Sequence, residues 1–561
     1  MGLSRRAFLQ QTGLALLTLG ITEKFLEGYA QALAQSTNRK LALLIGIDQY
    51  RQNAPLKGCK TDVELQKELL IYRFGFKPQD VVTLTDQQAT RENIETTFSE
   101  HLIAQANPSD VVVFHYSGYG TRIGLSNSTI SPPAINLVDS FVPVDGVIPT
   151  KAKPASNYLL KDTLLLLARA LNTDKLTLVL DTGYQKAIEE LQGNLRIRAL
   201  PHDQGILSLE AIAAKEQLQT RYNQQLKPRK RKFPPGTLLS AANSSTIAVE
   251  RQWQDFSAGV LTYALTQHLW ETAENYKIQV IFNQVKQKIN RDIGKLEQPV
   301  LITEKKPTLT YYSPLLSNLS AEGVIIEVNP DNTGKVFLGG FAPLILVNNP
   351  IGSCFIVFAA NAEILIQLNS LQGITGTFNC LNPPGENTPA VGNFIQEKIR
   401  VLPRHLGLNI ALGEKLERIE RVDATSAFAN VNSVANVINR GEQHIDYIIG
   451  KIESQDKTEK FLAYSLFSPL GEPLSKTIGK TPEAVKVAVT RLTPKLDNLL
   501  AFKWFNCLDN QATSRLPVKV SMTVTDKLEK ELLTVETLRG SQLKFLQSSS
   551  SLSNLPISAL L

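Results

Sequence analysis

The hydrophobic positions in the first 300 residues fall into short continuous runs separated by stretches with helical spacing. The runs occupy residues 40–47, 81–84, 110–116, 176–180 and 238–243. Continuous apolar runs of this length are typical of strands buried on both faces of a parallel sheet, because a strand with one solvated face would alternate apolar and polar residues. Since helical patterns lie between the runs, the sequence predicts an α/β fold with a doubly wound sheet.

Two helix starts can be predicted in this part of the chain. A helix is expected within 56–72, with Asp62 near its N-terminus. Thr90 is a candidate N-cap for a second helix that carries Ile94 and Phe98.

Residues 320–403 have a different pattern, with short apolar stretches and many turn residues. Residues 324–328 and 335–338 predict a hairpin around a turn-rich loop. Further short strands are expected at 338–340, 355–358 and 364–368. The pattern predicts a small β-rich domain, either a barrel or a sandwich.

Residues 404–547 return to an α/β pattern and are predicted to form an accessory domain. A strand is expected at 408–412, followed by a charged helix over 414–422 that places Leu416, Ile419 and Val422 on one face. Pro482 is expected to open another helix, whose apolar face would carry Val485, Ala488, Val489 and Leu492. The serine-rich tail after Ser548 is expected to be loose.

Two of the apolar runs break abruptly into small residues, as strands do when they end in tight loops. The first reads Phe114-His115-Tyr116-Ser117-Gly118-Tyr119-Gly120, and the second reads Leu178-Val179-Leu180-Asp181-Thr182-Gly183-Tyr184. In doubly wound sheets, functional sites lie at the carboxyl ends of the strands. The two phrases resemble the catalytic strand ends of caspase-like peptidases, the metacaspases and orthocaspases, and later phrases extend the resemblance over residues 39–312.

The resemblance implies a catalytic His at the position of Tyr119 and a catalytic Cys at the position of Gly183. A cysteine peptidase needs a thiolate nucleophile and an imidazole base, and neither glycine nor a tyrosine that titrates near ~10 replaces them. His115 is expected to be a packed strand residue rather than a relocated base. The resulting expectation is a catalytically inactive pseudoenzyme that binds peptides or protein partners. Two alternatives are an active Arg/Lys-directed endopeptidase with non-standard catalytic residues, and a structural scaffold for the C-terminal domains.

The resemblance also implies an acidic substrate-binding pocket, because family members outside animals cut after Arg or Lys. Carried over by position, the pocket residues are Asp62, Ser117 and Asp181, with Asp145 as a weaker match. Carboxylates with a hydroxyl can bind a guanidinium through charge-assisted hydrogen bonds. The structural alternative is that Asp62 only caps a helix and Asp181 only holds a loop.

No metal or other cofactor is expected. The four cysteines lack paired CxxC spacing, which gives neither a zinc site nor a disulfide framework. Many metacaspases bind calcium through adjacent aspartates, but the corresponding stretch here reads Lys161-Asp162, and a lysine removes an oxygen ligand and adds a repelling charge. A solvated loop is the first expectation for the basic run 227–232, ahead of a processing site; nucleic acid is not an expected partner.

The first 34 residues are expected to be an export signal. Arg5 and Arg6 are followed by Phe8-Leu9, an apolar stretch and Ala32-Leu33-Ala34, which resembles a twin-arginine signal with a small-x-small cleavage site. The alternative is an N-terminal amphipathic helix that stays attached. The expected location is the periplasm, or a thylakoid lumen if the source is cyanobacterial, with no membrane span after signal removal. The expected partners are peptides or proteins, including ones that carry Arg or Lys.

Overall fold

A computed structural model describes most of the chain between residues 38 and 536. The described ranges are 38–126, 135–148, 155–185, 194–200, 206–226, 236–243, 245–253, 255–303, 308–348, 351–359, 362–382, 388–402, 406–438, 445–452, 463–469, 471–480, 482–508, 519–524 and 530–536. The predicted export signal, the basic run and the serine-rich tail lie outside these ranges.

The part of the chain up to residue 312 alternates strands and helices, as the hydrophobic pattern predicts. Its elements are β1 (Lys40–Gly46), α1 (Cys59–Glu68), β2 (Val81–Thr85), α2 (Arg91–Thr97), β3 (Val111–Ser117), β4 (Gly120–Ser126), β5 (Ile135–Phe141), β6 (Ala155–Ser156), β7 (Leu159–Leu160), α3 (Lys161–Ala170), β8 (Leu176–Asp181), β9 (Leu195–Ile197), β10 (Ile206–Leu207), α4 (Leu209–Leu226), β11 (Thr237–Ser240), β12 (Val249–Gln252), β13 (Ser257–Gly259), α5 (Val260–Glu271), α6 (Ile278–Ile293) and β14 (Val300–Thr303).

The main sheet has six strands in the order β14-β11-β8-β3-β1-β2. All its pairings are parallel except that of β14 with β11. The strands β3 and β8 are buried along their whole length, which is why their sequences are continuous apolar runs rather than alternating ones. The predicted doubly wound α/β fold is confirmed.

The helix starts near the main sheet also follow the sequence. Thr90 is the N-cap of α2, and its side-chain oxygen accepts a 3.2 Å hydrogen bond from the amide of Asn93. Asp62 lies in the first turn of α1, which continues as a π-helical turn over Leu69–Arg73.

Two smaller sheets cover the carboxyl end of the main sheet, and the sequence did not predict them. One has the strand order β6-β10-β4-β5-β7, and the other has the order β13-β12-β9. Several of these strands have only two or three residues, too few to show a periodic pattern. Their pairing depends on the neighbouring loops that tertiary folding brings beside them.

The β-rich region is a closed six-stranded barrel in the order β15-β16-β19-β18-β17-β20. Its elements are β15 (Gly323–Val328), β16 (Thr333–Phe337), α7 (Pro343–Val347), β17 (Cys354–Ala359), β18 (Ala362–Gln372), β19 (Thr375–Cys380) and β20 (Phe394–Ile399). The strand expected at 338–340 is a turn instead, closed by a 3.2 Å hydrogen bond from the amide of Phe341 to the carbonyl of Leu338.

The barrel does not have a separate core from the α/β part that precedes it. One continuous hydrophobic cluster contains residues of α1, α5, α6 and the barrel strands. Trp270 is fully buried in this cluster, with its ring centroid 6.2 Å from that of Phe337 and 6.0 Å from that of Phe394.

The last α/β unit has a four-stranded sheet in the order β22-β21-β23-β24. Its elements are β21 (Leu408–Leu412), α8 (Arg418–Phe428), β22 (Val434–Ile438), β23 (Tyr447–Ile452), β24 (Ala463–Phe467) and α9 (Val485–Leu508), and a hairpin of β25 (Lys519–Val524) and β26 (Lys530–Glu536) follows.

The two helices of this unit differ in how well the sequence predicted their buried faces. The predicted apolar face of α9 is confirmed, with Val485, Ala488, Val489 and Leu492 all buried. The predicted face of α8 is wrong. Its capping box uses Glu417 and Glu420 and starts the helix at Arg418. This start leaves Leu416 before the helix, turns Ile419 and Val422 to solvent, and buries Ala424 and Phe428.

Within the described residues, no helix is both long and apolar enough to cross a membrane.

Candidate functional site

The three predicted pocket residues come together at the carboxyl edge of the main sheet. Strands β3 and β8 pair with Ser117 opposite Asp181, and the first turn of α1 brings Asp62 over them. The Ser117 hydroxyl donates a hydrogen bond to Asp62 Oδ2. All three side chains are fully buried. The parallel strand ends and the first turn of α1 therefore bring Asp62, Ser117 and Asp181 together. We call these three residues the cradle.

The cradle holds the side chain of Arg198, which the sequence analysis did not identify. Arg198 Nη1 lies 2.7 Å from Asp62 Oδ2 and 3.1 Å from Asp181 Oδ1. The same nitrogen donates a 2.6 Å hydrogen bond to Ser117 Oγ. Arg198 is itself fully buried. Asp62, Ser117 and Asp181 thus contact a guanidinium of the same chain.

Each carboxylate of the cradle is also fixed by hydrogen bonds from strand β13 or helix α5. The amide of Gly259 donates a 2.9 Å hydrogen bond to Asp62 Oδ1. Asp181 Oδ2 accepts hydrogen bonds from the Thr262 amide at 2.9 Å and from the Thr262 hydroxyl at 2.6 Å. The oxygens that face Arg198 are therefore held in place from behind, as a preorganised ion-binding site requires.

Two further carboxylates lie near the guanidinium. Glu250 Oε2 is 3.4 Å from Arg198 Nη2, and Glu297 accepts a 2.8 Å hydrogen bond from the Val249 amide. Four buried carboxylates around one cation leave an excess of negative charge, which favours protonated carboxyls. Burial raises the pKa of Asp62 to about 7, with Arg198 opposing the rise and Asp181 adding to it. Burial likewise raises the pKa of Glu297 well above its usual range.

The backbone that carries Arg198 is bound like a peptide in a groove; we call residues 194–200 the arginine strap. Its strand β9 pairs antiparallel with β12. The amide of Arg198 donates a 2.9 Å hydrogen bond to the carbonyl of Ala248. The Arg198 carbonyl accepts hydrogen bonds from the amides of Gly120 at 3.2 Å and Gly183 at 3.0 Å. Paired backbone amides on one carbonyl oxygen are the arrangement that stabilises oxyanions in acyl transfer.

Tyr119, at the position where the resemblance implies a histidine, is packed into the site. Its hydroxyl donates a 3.1 Å hydrogen bond to the carbonyl of Ala54, and its ring centroid lies 4.9 Å from that of Tyr50. The Tyr50 hydroxyl in turn accepts a 2.8 Å hydrogen bond from the Tyr119 amide. Burial raises the pKa of Tyr119 to about 12, so an even smaller fraction of its side chain is phenolate at neutral pH than in free tyrosine.

Gly183, at the position where the resemblance implies a cysteine, lies in a crowded place. A Cβ atom added to Gly183 would lie 2.9 Å from the backbone nitrogen of Ala248. A Cβ on Gly120 would clash with the carbonyl oxygen of Gly183.

Cys59 and His115, the cysteine of α1 and the histidine of β3, are both fully buried. Cys59 begins α1 and is fully buried, and burial raises the pKa of its thiol well above the usual range. His115 is fully buried in β3, as expected for a packed strand residue, and neither ring nitrogen has a hydrogen-bond partner among the described residues. Burial, with the nearby Arg198 charge, lowers the pKa of His115 to about 3.

The remaining predicted positions have structural partners. Both carboxylate oxygens of Asp145 accept hydrogen bonds, at 2.9 Å from the Arg91 amide and at 2.7 Å from Asn157 Nδ2. The ammonium of Lys161 lies 3.2 Å from Asp139 Oδ2. In the described part of the chain, no group of three or more His, Cys, Asp or Glu side chains is placed to hold a metal ion.

Arg198 has only a weak sequence signal. The stretch Leu195-Arg196-Ile197-Arg198 alternates apolar and basic residues, which is typical of a short strand with one polar face. In the fold, one arginine of the pair is fully buried while Arg196 keeps partial exposure, with its guanidinium on the carbonyl of Pro55. Nothing in the spacing distinguishes the two, because only the position of the cradle decides which arginine enters it.

Comparison with known proteins identifies the family of this part of the chain. The sequence profile described as "Caspase domain" matches residues 39–312. Metacaspase-1A of Neurospora crassa is 39% identical over 100 residues, which cover 17% of this chain and 22% of that protein. Metacaspase-1 of Meyerozyma guilliermondii is 39% identical over 93 residues, covering 16% of this chain and 23% of that protein.

A third relative, Metacaspase-1 of Botryotinia fuckeliana, is 38% identical over 100 residues, or 17% of this chain and 24% of that protein. The chain therefore spans less than a quarter of the length of these curated relatives. The profile and the relatives confirm the resemblance that the two strand-end phrases indicate. Residues 39–312 of this chain thus belong to the caspase-like peptidase family.

Proposed function

We propose that residues 39–312 form a non-catalytic caspase-like domain that binds a peptide or protein partner without cutting it. The observation that carries the proposal is the pair Tyr119 and Gly183 at the two strand ends. Acyl transfer by this family's chemistry needs a nucleophile and a base at these places. A glycine supplies no nucleophile, and a buried phenol whose pKa is raised to about 12 does not accept a proton at neutral pH.

Relocation of the reactive groups has little support. A thiol acts as a nucleophile only as the thiolate, and burial opposes ionisation of Cys59. A general base must reach the proton that it removes, and His115 faces the core of the sheet without a polar partner among the described residues. The rival function, an Arg/Lys-directed endopeptidase with non-standard residues, would need a group that these contacts do not supply.

A purely structural role for the domain is a second candidate, favoured by the shared hydrophobic core. Trp270 of α5 packs against barrel residues Phe337 and Phe394, and the amide of Ala321 donates a 3.1 Å hydrogen bond to the Trp270 carbonyl. Without the surface of α5 around Trp270, the barrel would expose large aromatic side chains to water. In this role, the caspase-like part is the platform on which the C-terminal regions fold.

Peptidase activity can be tested on the full chain with fluorogenic peptides that end in Arg or Lys. The assay should include the wild type and Arg198→Ala, because in the wild type an occupied pocket alone could prevent turnover. We expect no cleavage by either protein. Turnover that survives replacement of all four cysteines would refute the proposal and support the non-standard hydrolase.

A covalent label provides an independent test of the same proposal. An arginyl fluoromethyl ketone modifies a nucleophile that lies beside a bound arginine, and mass spectrometry locates the adduct. We expect no stoichiometric adduct on the wild type or on Arg198→Ala. A stoichiometric adduct at one residue would identify a working nucleophile and contradict the proposal.

We also propose that the protein is exported by the twin-arginine route. The support is the sequence of residues 1–34, in which Arg5 and Arg6 precede an apolar stretch and a small-x-small site. Fusion of residues 1–34 to a folded reporter should deliver the reporter to the periplasm, and changing both arginines to lysine should prevent delivery. Equal export of the lysine form would contradict this route.

A further inference from the structure

We infer that the arginine strap is an internal pseudosubstrate that closes an arginine-binding groove, and that an arginine-bearing extended segment of another protein enters this groove only by replacing it. The inference rests on the proposed function, because it assumes a domain that binds arginine without cutting beside it. It names what the site recognises and what regulates access to it.

The strap is bound through its backbone in the way that extended peptides bind to sheet edges. Strand β9 is the outer strand of the sheet β13-β12-β9 and pairs antiparallel with β12, so β12 would have a free edge without it. The amide of Leu200 continues the contact with a 2.8 Å hydrogen bond to the carbonyl of Gly120. Such main-chain pairing does not depend on sequence, so another extended segment can make the same hydrogen bonds.

The Arg198 carbonyl occupies the position that a scissile carbonyl takes in an acyl-transfer site. The amides of Gly120 and Gly183 both donate to its oxygen, at 3.2 and 3.0 Å. The residue that would attack this carbonyl is Gly183, which has no side chain. The bond between Arg198 and Ala199 is therefore presented to a site that holds no nucleophile at that position.

Side-chain chemistry makes the groove selective for arginine. The guanidinium contacts Asp62, Asp181 and Ser117 within 3.1 Å, and Glu250 lies 3.4 Å from its second terminal nitrogen. A planar fork can meet several carboxylates at once, whereas a lysine ammonium is a single point charge. Arg198 Nε has no hydrogen-bond partner among the described residues, so the fit relies on the two terminal nitrogens.

The groove is closed as long as the strap is in place. Arg198, Asp62, Ser117 and Asp181 are all fully buried, so a second guanidinium has no room in the cradle. The apparent affinity of the groove for a partner is then its intrinsic affinity multiplied by the fraction of molecules in which the strap has left the groove. Removing the Arg198 side chain should take away most of this competition.

The test measures binding of a labelled heptapeptide with the sequence of residues 194–200, acetylated and amidated, to the full chain. The protein variants are the wild type, Arg198→Ala and the matched control Arg196→Ala, which changes the neighbouring arginine on the same strap. We expect Arg198→Ala to bind the peptide at least tenfold more tightly than either other protein. A peptide with alanine at the position of Arg198 should bind Arg198→Ala at least tenfold more weakly.

A second variant covers the case in which Arg198→Ala does not fold. Arg198→Lys keeps a positive charge in the cradle but loses the planar fork, so the strap should be held less tightly. Binding of the heptapeptide to this variant should be several-fold tighter than to the wild type. In both variants, amide hydrogen exchange at residues 194–200 should be faster than in the wild type, because the strap is released more often.

The outcomes separate this inference from the proposed function. Tight binding by a folded variant with the peptide recovered intact supports both. Tight binding with cleavage of the peptide supports the strap inference but overturns the non-catalytic proposal. Equal binding by the wild type and a folded Arg198 variant, or dependence on the arginine equivalent to Arg196, overturns the strap inference and leaves the non-catalytic proposal standing.

Discussion

Two buried junctions hold distant parts of this chain together by opposite means. Around Arg198, segments more than 100 residues apart in sequence meet through a single cation and several carboxylates. Around Trp270, the caspase-like domain meets the barrel through aromatic packing. Burying charges costs free energy that is recovered only in good geometry, whereas apolar surface gains stability from burial itself. The geometry of the first junction is what the proposed recognition of arginine requires, whereas the second junction contributes stability through burial.

Even the apolar junction contains a buried cation, and the contrast with Arg198 is informative. Arg73 is fully buried, with its guanidinium 5.2 Å from the centroid of Phe394 and a 2.6 Å hydrogen bond to the carbonyl of Leu319. Burial lowers the pKa of Arg73 to about 10. Its described contacts are carbonyls and a ring rather than carboxylates. It therefore fixes geometry between the two domains without forming an acidic site.

Among the substitutions that distinguish the two junctions, Arg198→Ala should lower the unfolding free energy most. It leaves Asp62, Asp181 and Glu250 buried without their cation. Removing one partner of a buried ion pair lowers the unfolding free energy by about 3–5 kcal/mol. Arg196→Ala on the same strap should cost less than about 1 kcal/mol. Urea unfolding of the two variants measures the difference, and equal losses would show that the cradle contributes no specific stability.

Trp270→Ala should break the apolar junction. Truncating a fully buried aromatic side chain costs about 3–4 kcal/mol through lost burial and the cavity left behind. Because the core is continuous across the two domains, the barrel and the caspase-like part should lose stability together. Calorimetry should show their transition shifting as one, with Trp270→Phe less affected. A barrel transition that stays at its wild-type temperature would contradict a shared core.

The contribution of the charged junction to the unfolding free energy should fall as pH rises, whereas that of the apolar junction should not change. The pKa of Asp62 is raised in the folded state to about 7, against ~3.9 when unfolded. The folded protein thus binds this proton more tightly. The resulting contribution to stability is full below pH ~4 and is lost as pH rises towards 7. Between pH 5 and 8, the unfolding free energy of the wild type relative to Asp62→Asn should fall by about 2–3 kcal/mol.

Urea unfolding of both proteins at several pH values measures this difference directly. The neighbouring Glu250 and Glu297 also have raised pKa values, so their contribution has the same sign. Comparison with Asp62→Asn separates Asp62 from the other titrating groups of the chain. A difference between the two proteins that stays constant from pH 5 to 8 would show that Asp62 does not titrate in this range.

Restoring the missing dyad should have the smallest effect on stability and should not restore activity on added peptides. A side chain at Gly183 comes within 2.9 Å of the Ala248 backbone nitrogen, so Gly183→Cys should cost about 1–2 kcal/mol through local crowding. In the double variant with Tyr119→His, Arg198 still fills the pocket. Mass spectrometry should therefore find added Arg-terminated peptides uncut.

Two products would be informative in that experiment. A cut between Arg198 and Ala199 would show that the restored thiol reaches the strap carbonyl, in support of the pseudosubstrate inference. Cleavage of added Arg-terminated peptides would show instead that the pocket is open and the strand geometry intact. That result would contradict the closed groove.

The sequence by itself determined five of the six strands of the main sheet, the β-rich region and the buried face of one late helix. Short and almost continuous apolar runs such as 111–117 and 176–181 predict buried strands, because a strand with one solvated face would alternate apolar and polar residues. The buried face of α9 follows from helical spacing in the same way. The family resemblance, carried by the two strand-end phrases, also indicated that Asp62, Ser117 and Asp181 would meet.

Only the tertiary structure decided what occupies the cradle. A period-two pattern places Arg196 and Arg198 on the same face and does not distinguish them, so the register of β9 on β12 decides which of the two reaches the cradle. The start of α8 likewise depended on a capping box at Glu417 rather than on the apolar spacing that placed Ile419 and Val422 inside. Hydrophobic pattern specifies which segments are buried, whereas register and capping decide which side chain reaches a given partner.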